Sequence, residues 1–168
     1  RNQISVVHGG KTRQASTHQG LLALQELSPK YVMIHDAVRP FVDEALINRI
    51  LDSLEKGGSV IPAMAISDTI KQVDSALLIE ATVPRAHLYG AQTPQAFSYD
   101  EILAAHESAS AAGSLGFTDD ASIAEFFGIP VKIVEGSAEN IKLTWKRDIE
   151  MADQNLSVRF PDVRVGNG

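Results

Sequence analysis

The feature that most constrains this fold is the alternation of short apolar runs with amphipathic helical patterns. Residues 4–7 and 31–34 are short apolar runs containing β-branched residues, which predicts strands buried on both faces of a sheet. A helical pattern follows each run, over residues 16–27 and 43–55, and residues 60–64 predict the next strand. This order predicts an α/β fold with a doubly wound, mostly parallel sheet.

The pattern changes between Asp68 and Ala96, where no helical period is visible. Residues 70–73 and 77–81 flank a polar Asp74-Ser75 turn, which predicts an antiparallel hairpin that protrudes as an arm. An arm of this kind often packs against another subunit. The remaining predicted elements are helices over 99–112, 119–127 and 147–155, and strands over 131–134 and 163–165.

Composition limits the classes of function. The length of 168 residues suits one domain, and the net charge of −6 without a dense basic run argues against a nucleic-acid partner. The absence of cysteine excludes disulfides and thiolate metal sites. No apolar run approaches the roughly 18 residues of a membrane span. These features predict a cytoplasmic protein without a membrane partner.

The segment His-Asp-Ala-Val-Arg-Pro at 35–40 follows a predicted strand, where ligands of open α/β sheets bind. Asp36 can hold a Mg²⁺ that bridges phosphate oxygens. Arg39 can orient Asp36 or bind a phosphate with two hydrogen bonds. The alternative is structural: Asp36 caps the turn and Arg39 pairs with it.

Three other segments have a functional and a structural interpretation. Gly9-Gly10, with Ser16 beyond it, can face a nucleotide through backbone N–H groups, or is a tight turn with Ser16 as the helix cap. Thr118 can cap a helix whose start is an anion site. Lys142 can neutralise a phosphoryl group or be a solvated surface lysine. Thr93 and Arg85 alone indicate only a turn and an exposed cation.

Five motifs, taken in order, resemble one family. They are the segment at 35–40, Asp-Thr-Ile-Lys at 68–71, Gln-Thr-Pro-Gln at 92–95, Thr-Asp-Asp-Ala-Ser at 118–122, and Val-Glu-Gly at 134–136 running to Asn-Ile-Lys-Leu-Thr at 140–144. The set resembles 2-C-methyl-D-erythritol 4-phosphate cytidylyltransferase from about Val6 to Ala152. The resemblance implies a Rossmann-like nucleotidyltransferase sheet with a β-arm. The implied reaction joins CTP to methylerythritol 4-phosphate, giving 4-diphosphocytidyl-methylerythritol and pyrophosphate in the non-mevalonate isoprenoid pathway.

The resemblance also implies roles for individual residues. Asp36 would serve a Mg²⁺ ion and Lys142 the α-phosphate, and both would be catalytic and bind the nucleotide. Gly10 and Ser16 match positions that face the cytosine nucleotide. Positions lining the sugar-phosphate pocket are matched by Arg39, Thr93 and Thr118, and positions on the arm by Thr69 and Arg85. The arm of the family reaches the neighbouring subunit's site, which implies a homodimer.

The two ends of the sequence depart from the family pattern. The family opens with a strand and a Gly-rich loop that clasps the triphosphate, and this sequence begins after both. Residues 1–156 are therefore interpreted as a cytidylyltransferase domain lacking that loop, with its arm at about 68–92. Activity of the 168 residues alone is expected to be impaired. Residues 157–168 resemble a linker and the start of a cyclodiphosphate synthase, the domain for which zinc is implied.

Two other functions remain open from the sequence. A cytidylyltransferase for ribitol 5-phosphate shares the motifs at 35–40 and 93–95. A non-catalytic nucleotide-binding or dimerisation module would fit the missing phosphate loop.

Overall fold

A computed structural model of the chain describes residues 4–114 and 116–159. The helices and strands alternate in the first half, as the apolar pattern predicts. The helices are α1 (Arg13–Ala23), α2 (Glu44–Glu55), α3 (Tyr99–Ala111), α4 (Asp120–Phe126) and α5 (Lys146–Arg159). The strands are β1 (Tyr31–Ile34), β2 (Ser59–Ala65), β3 (Ile70–Val73), β4 (Ile79–Val83), β5 (Tyr89–Ala91), β6 (Gln95–Ser98) and β7 (Val131–Glu135).

The main sheet has five strands and is mixed. β6 lies between β1 and β2 and is antiparallel to both, while β7 pairs with the other edge of β2 in parallel. β5 is antiparallel to the end of β2. The strands β1, β2 and β7 therefore run in one direction and β5 and β6 in the other. The α/β class and the protruding arm are confirmed, and the antiparallel strands β5 and β6 were not predicted.

Helices cover both faces of this sheet. Alternate residues of one strand point to opposite faces, so neighbouring residues of β6 contact different helices. In β6, Ala96 packs with α2 residues Leu46, Ile50 and Leu54. Its neighbour Phe97 packs on the other face, in a cluster that includes residues of α1, α3 and α4. Each fully buried leucine or isoleucine contributes roughly 1.5–3 kcal/mol through burial. The two clusters hold the central strand ends in place beneath the loops.

The strand predicted at residues 4–7 is wrong. Residues 4–10 form neither helix nor strand, and Ile4 and Val6 are 92% and 94% exposed. A strand is stabilised by its neighbours in a sheet, and this run has no strand partner among the described residues.

Two predicted helix caps are also corrected. Helix α1 begins at Arg13, because the Thr12 side chain, and not Ser16, accepts the hydrogen bond from the N–H of Ala15. Helix α4 is capped by Asp119, one residue after Thr118, in a reciprocal pair with Ser122. In both helices the side chain that closes the first turn sits three residues before its donor. Asp43 caps α2 as predicted.

The arm is the two-stranded antiparallel sheet of β3 and β4. The Asp74 carboxylate closes its turn by accepting hydrogen bonds from the N–H groups of Ala76 and Leu78. The apolar side chains Leu77, Leu78 and Ile79 near the tip are largely exposed. The predicted strand at 163–165 lies outside the described residues. None of the described helices is long and apolar enough to cross a membrane.

Candidate active site

The loop after β1 is a closed turn. The N–H of Arg39 donates to the carbonyl of Asp36 over 2.9 Å, and His35 Nε2 lies 2.9 Å from the carbonyl oxygen of Arg39. The buried Thr93 hydroxyl bonds to His35 Nδ1 at 2.8 Å and accepts from the N–H of Asp36 at 3.1 Å. Thr93 therefore holds the turn that presents the Asp36 carboxylate.

The loop after β7 is attached to the same turn. Fully buried Asn140 donates from Nδ2 to the carbonyl of Thr93 over 2.7 Å, and Arg39 Nη1 donates to the carbonyl of Asn140 over 2.7 Å. The N–H of Leu143 donates to the carbonyl of Val38 over 2.8 Å. Because Asn140 and Leu143 are both fixed, Lys142 between them faces the end of β1.

Gly136 opens this second loop at a point too crowded for a side chain. A Cβ there would lie 2.5 Å from Gln92 Oε1 and 3.2 Å from the carbonyl oxygen of Ala63. The Gln92 amide in turn bonds both the N–H and the carbonyl of Ser137. The close approach at Gly136 lets the loop leave β7 directly towards the site.

The centre of the site is the Asp36 carboxylate held between two cations. Arg13 Nε lies 3.3 Å from Oδ1 and Lys142 Nζ lies 3.2 Å from Oδ2. Burial by itself would raise the pKa of Asp36, but the hydrogen bond from Lys142 and the charge of Arg13 outweigh it and lower that pKa. Asp36 therefore keeps its charge to a lower pH than an ordinary aspartate does.

Arg39 does not form the ion pair that the structural alternative required. Its guanidinium donates to the carbonyls of Asn140 and Ala91 instead. Burial lowers the pKa of Arg39, and Asp36 opposes that shift through its charge. Arg39 thus connects its own turn to the loop after β7 and to the end of β5, and the cations in contact with Asp36 are Arg13 and Lys142.

The glycine loop before α1 is closed by its own serine. The N–H of Gly10 donates to Ser16 Oγ over 3.0 Å, and that hydroxyl donates to the carbonyl of Thr12 over 2.9 Å. A side chain on Gly10 would collide with Ala15. Ser16 therefore shapes the loop, and contact of Gly10 and Ser16 with a nucleotide stays a prediction.

The structure brings together only some of the predicted site residues. Asp36, Lys142, Arg39 and Thr93 meet at the ends of β1 and β7, as described above. Gly10 and Ser16 lie in the closed loop before α1, and the remaining three are exposed on separate segments: Thr69 and Arg85 flank the arm, and Thr118 precedes α4.

The sequence interpretation missed Arg13 as a site residue. Arg13 stands in the first turn of α1 and forms ion pairs with Asp36 and with Asp120, at 2.8 Å for the second. Those partners are 23 and 107 residues away along the chain, so no local spacing signals the contact. Its place directly after the glycine loop was the available hint.

A magnesium ion fits this site only in company with a ligand. Among the described residues no group of three or more His, Cys, Asp or Glu side chains could hold a metal. Asp36 offers one carboxylate, and both of its oxygens contact cations. Mg²⁺ commonly binds one or two protein carboxylates and completes its shell with phosphates and water. The donor set therefore fits a Mg²⁺ that arrives on a nucleotide.

A mixed α/β sheet with a carboxylate and two cations at its strand ends, beside a glycine loop and a protruding arm, defines a domain of the nucleotidyltransferase class. The comparisons with known proteins narrow this class to one family. The model of the IspD family, 2-C-methyl-D-erythritol 4-phosphate cytidylyltransferase, matches residues 1–157. The chain belongs to this family.

Solved structures of the family share the fold. The 4-diphosphocytidyl-2C-methyl-D-erythritol synthase of Anaerococcus prevotii is 38% identical with a TM-score of 0.83, over 94% of this chain and 72% of that one. The cytidylyltransferase of Thermus thermophilus is 34% identical with a TM-score of 0.80, over 88% and 71% of the two chains.

Relatives with higher identity are longer proteins. The bifunctional enzyme IspD/IspF of Brucella anthropi is 56% identical, over 98% of this chain and 41% of the relative. That of Rhizobium leguminosarum is 55% identical, over the same shares. The chain thus spans about two fifths of the length of these relatives.

Proposed function

We propose that this chain forms the catalytic core of a cytidylyltransferase that transfers the cytidylyl group of CTP to 2-C-methyl-D-erythritol 4-phosphate. Family membership supports the reaction, and one observation carries the assignment to this site: Lys142 and Arg13 contact opposite oxygens of Asp36. A carboxylate between two cations suits a reaction in which phosphate charge enters and pyrophosphate leaves.

In the proposed reaction, an oxygen of the sugar phosphate attacks the α-phosphorus of CTP. The new P–O bond forms as the bond to the bridging oxygen breaks, and the electron pair leaves with pyrophosphate. Such a step depends on positioning and charge neutralisation more than on covalent chemistry. Lys142, whose side chain is 46% exposed, leaves Asp36 and binds the α-phosphate oxygens.

The carboxylate released by Lys142 then faces the nucleotide. Mg²⁺, when bound, would be held by Asp36 and the phosphates and would offset their negative charge. Arg13 stays beside Asp36 because its guanidinium also binds Asp120. Lys142 is thus the mobile cation of the pair and Arg13 the fixed one.

The remaining predicted residues divide by what they contact. Gly10 and Ser16 are proposed to face the cytosine nucleotide through the closed loop before α1. Thr118 is proposed to contact the sugar phosphate directly. Arg39 and Thr93 are proposed to line the same pocket, where Arg39 Nη1 and the Thr93 hydroxyl also hold the loops of the site.

The reaction is tested by mixing the full-length protein with CTP, Mg²⁺ and either methylerythritol 4-phosphate or ribitol 5-phosphate. Pyrophosphate release with the first substrate is the expected result. Turnover of ribitol 5-phosphate alone would assign the alternative sugar substrate. CTP binding without pyrophosphate release from either would indicate a non-catalytic nucleotide-binding module.

Arg85 is proposed to serve the sugar-phosphate side of the neighbouring subunit's site. Replacing Arg85 by alanine should raise KM for methylerythritol 4-phosphate at least about tenfold, the scale of a lost hydrogen bond to a charged group. The affinity for CTP, measured by calorimetry, should stay within about twofold of the wild-type value, since Arg85 follows β4 of the arm and forms no part of the loops around Asp36. Lys56→Ala, at the exposed end of α2, controls for the loss of one positive charge. An equal loss of CTP affinity in the Arg85 variant would contradict the role.

The arm is also proposed to form a homodimer contact. Leu77, Leu78 and Ile79 expose apolar surface that pairing with a second copy would bury. Leu78→Asp should shift the protein from dimer to monomer in sedimentation velocity, because dimerisation would bury an unpaired charge. Leu27→Asp is the matched control, because Leu27 and Leu78 are both 66% exposed. Equal sedimentation of the two variants would place the interface elsewhere.

The names of the longer relatives support a proposal for the domain arrangement of the full-length protein. Residues 1–156 are proposed as the cytidylyltransferase domain, with residues 157–168 leading into a cyclodiphosphate synthase domain, where zinc would bind. Cyclodiphosphate formation by the full-length protein, lost on zinc chelation, would support this arrangement, and its absence at saturating zinc would contradict it.

The cytoplasmic location stays a prediction, which fractionation of the source cells would test.

A further inference from the structure

Arg13 joins the site to a buried carboxylate that the reaction does not use. Its Nε contacts Asp36, and its Nη2 lies 2.8 Å from Oδ2 of Asp120. The side chain of Asp120 is 0% exposed, and its Oδ1 lies 3.1 Å from Nε2 of His106. Because a carboxylate only accepts, the imidazole donates to it. The contacts form a chain from His106 through Asp120 and Arg13 to Asp36.

Asp120 itself cannot shift to follow its partners. Its N–H and that of Ala121 both donate to Oε1 of Gln95, over 3.1 and 2.9 Å. The same amide donates from Nε2 to the capping carboxylate of Asp119 over 2.8 Å. Gln95 is buried in β6, so the start of α4 is attached to the central sheet. Asp120 is therefore a fixed point against which Arg13 is held.

We propose that Asp120 and His106 are positioning residues that hold Arg13 and divide its charge between two carboxylates. An unpaired buried carboxylate is costly, so Asp120 retains Arg13 whatever binds at the site. The hydrogen bond from His106 fixes the rotamer of Asp120, in the way that hydrogen bonds from outer residues commonly orient the ligands of a metal. Arg13 is thereby oriented towards Asp36 while Asp120 compensates part of its charge. The contact between Arg13 and Asp36 is weaker as a result, and Asp36 would bind a magnesium ion more readily.

Loss of the Asp120 charge should therefore raise the Mg²⁺ concentration that the reaction requires. In Asp120→Asn the guanidinium of Arg13 has one carboxylate left, Asp36, and pairs with it more strongly. The Mg²⁺ concentration at half-maximal rate should rise about 10–100-fold, the range found when a partner behind a metal ligand is removed. KM for the sugar phosphate should change little. This kinetic readout rests on the proposed function.

His106 offers a matched pair of substitutions. His106→Gln retains an amide N–H near the position of Nε2 and should keep the Mg²⁺ dependence close to that of the wild-type protein. His106→Leu removes the donor and should raise the Mg²⁺ requirement in the same direction as Asp120→Asn. Ile102→Val is the control for a small loss of volume in α3, because Ile102 is fully buried on that helix. A purely structural role would lower the active fraction in every variant and leave the Mg²⁺ dependence unchanged.

A double-mutant cycle tests whether the effect passes through Arg13. In an Arg13→Met background, Asp120→Asn should have little further effect on the Mg²⁺ dependence, because the connecting cation is absent. Full additivity of the two substitutions would overturn the proposal.

Two further measurements separate this proposal from the reaction. Calorimetry of the full-length protein with Mg²⁺ and CTP, without sugar phosphate, should show weaker Mg²⁺-dependent CTP binding in Asp120→Asn. Proton exchange at Arg13 Nη2, the atom that contacts Asp120, followed by NMR without any ligand, should be at least about tenfold faster in the same variant, the scale of a lost contact to a charged group. Faster exchange and weaker binding would support the positioning role even if another sugar phosphate is the substrate. Unchanged exchange and binding would overturn it even if the reaction is as proposed.

Discussion

Replacing Lys142 by alanine is expected to lower kcat of the full-length enzyme at least about 100-fold, the scale of removing one group that stabilises transition-state charge. The ammonium group is 3.2 Å from Asp36 and its side chain is 46% exposed. It can therefore exchange a carboxylate for an incoming phosphate at little cost in solvation. Steady-state pyrophosphate release measures the effect.

The expected loss should fall on kcat more than on the affinity for CTP, because the charge at the α-phosphate grows in the transition state. Lys132→Ala is the matched control, because Lys132 is exposed on β7 ahead of the same loop. Lys142→Arg should recover only part of the rate, since a planar guanidinium does not replace a compact ammonium group. Unchanged kcat in Lys142→Ala would remove this lysine from the reaction.

The alternation of apolar runs predicted the α/β class because buried strands and amphipathic helices leave different periods in the sequence. The antiparallel strands were missed for a physical reason. β5 is three residues long and exposed, and β6 begins within a Gln-Thr-Pro-Gln segment that reads as a turn. Residues 4–7 show the opposite error, because strand-forming composition alone supplies no partner.

The site was predictable where one motif carries one role, and less so where the role depends on contacts between motifs. Asp36 and Lys142 follow strands, and the sheet brings their loops together. Arg13, Asp120 and His106 lie on three different helices, and only the packed fold shows that they are joined. Thr93 and Arg39 were predicted as ligand contacts, yet their hydrogen bonds in the structure shape the loops.

Asp36→Asn is expected to reduce kcat/KM at saturating Mg²⁺ by at least about 100-fold, because a neutral amide lacks the charge that would hold the metal beside the phosphates. The substitution should cost little stability, about 0–1 kcal/mol, since the partner Lys142 is half exposed and solvent screens the pair. Arg13 keeps Asp120 as a partner and is not left unpaired. Thermal unfolding of the variant within a few degrees of the wild-type protein would separate lost chemistry from lost folding.

The lowered pKa of Asp36 also predicts how the Mg²⁺ requirement depends on pH. A carboxyl group whose pKa is lower in the folded state contributes stability above its unfolded pKa of about 4, and that contribution is lost only as the pH falls through the lower folded value. Asp36 therefore stays charged at pH 5, where the Mg²⁺ concentration at half-maximal rate should match the value at pH 7. A rise in that concentration between pH 7 and pH 5, present in the wild-type protein and absent in Asp36→Asn, would show that Asp36 gains its proton too early to serve the metal. The ion pairs with Arg13 and Lys142 would then be too weak to set the charge of the site.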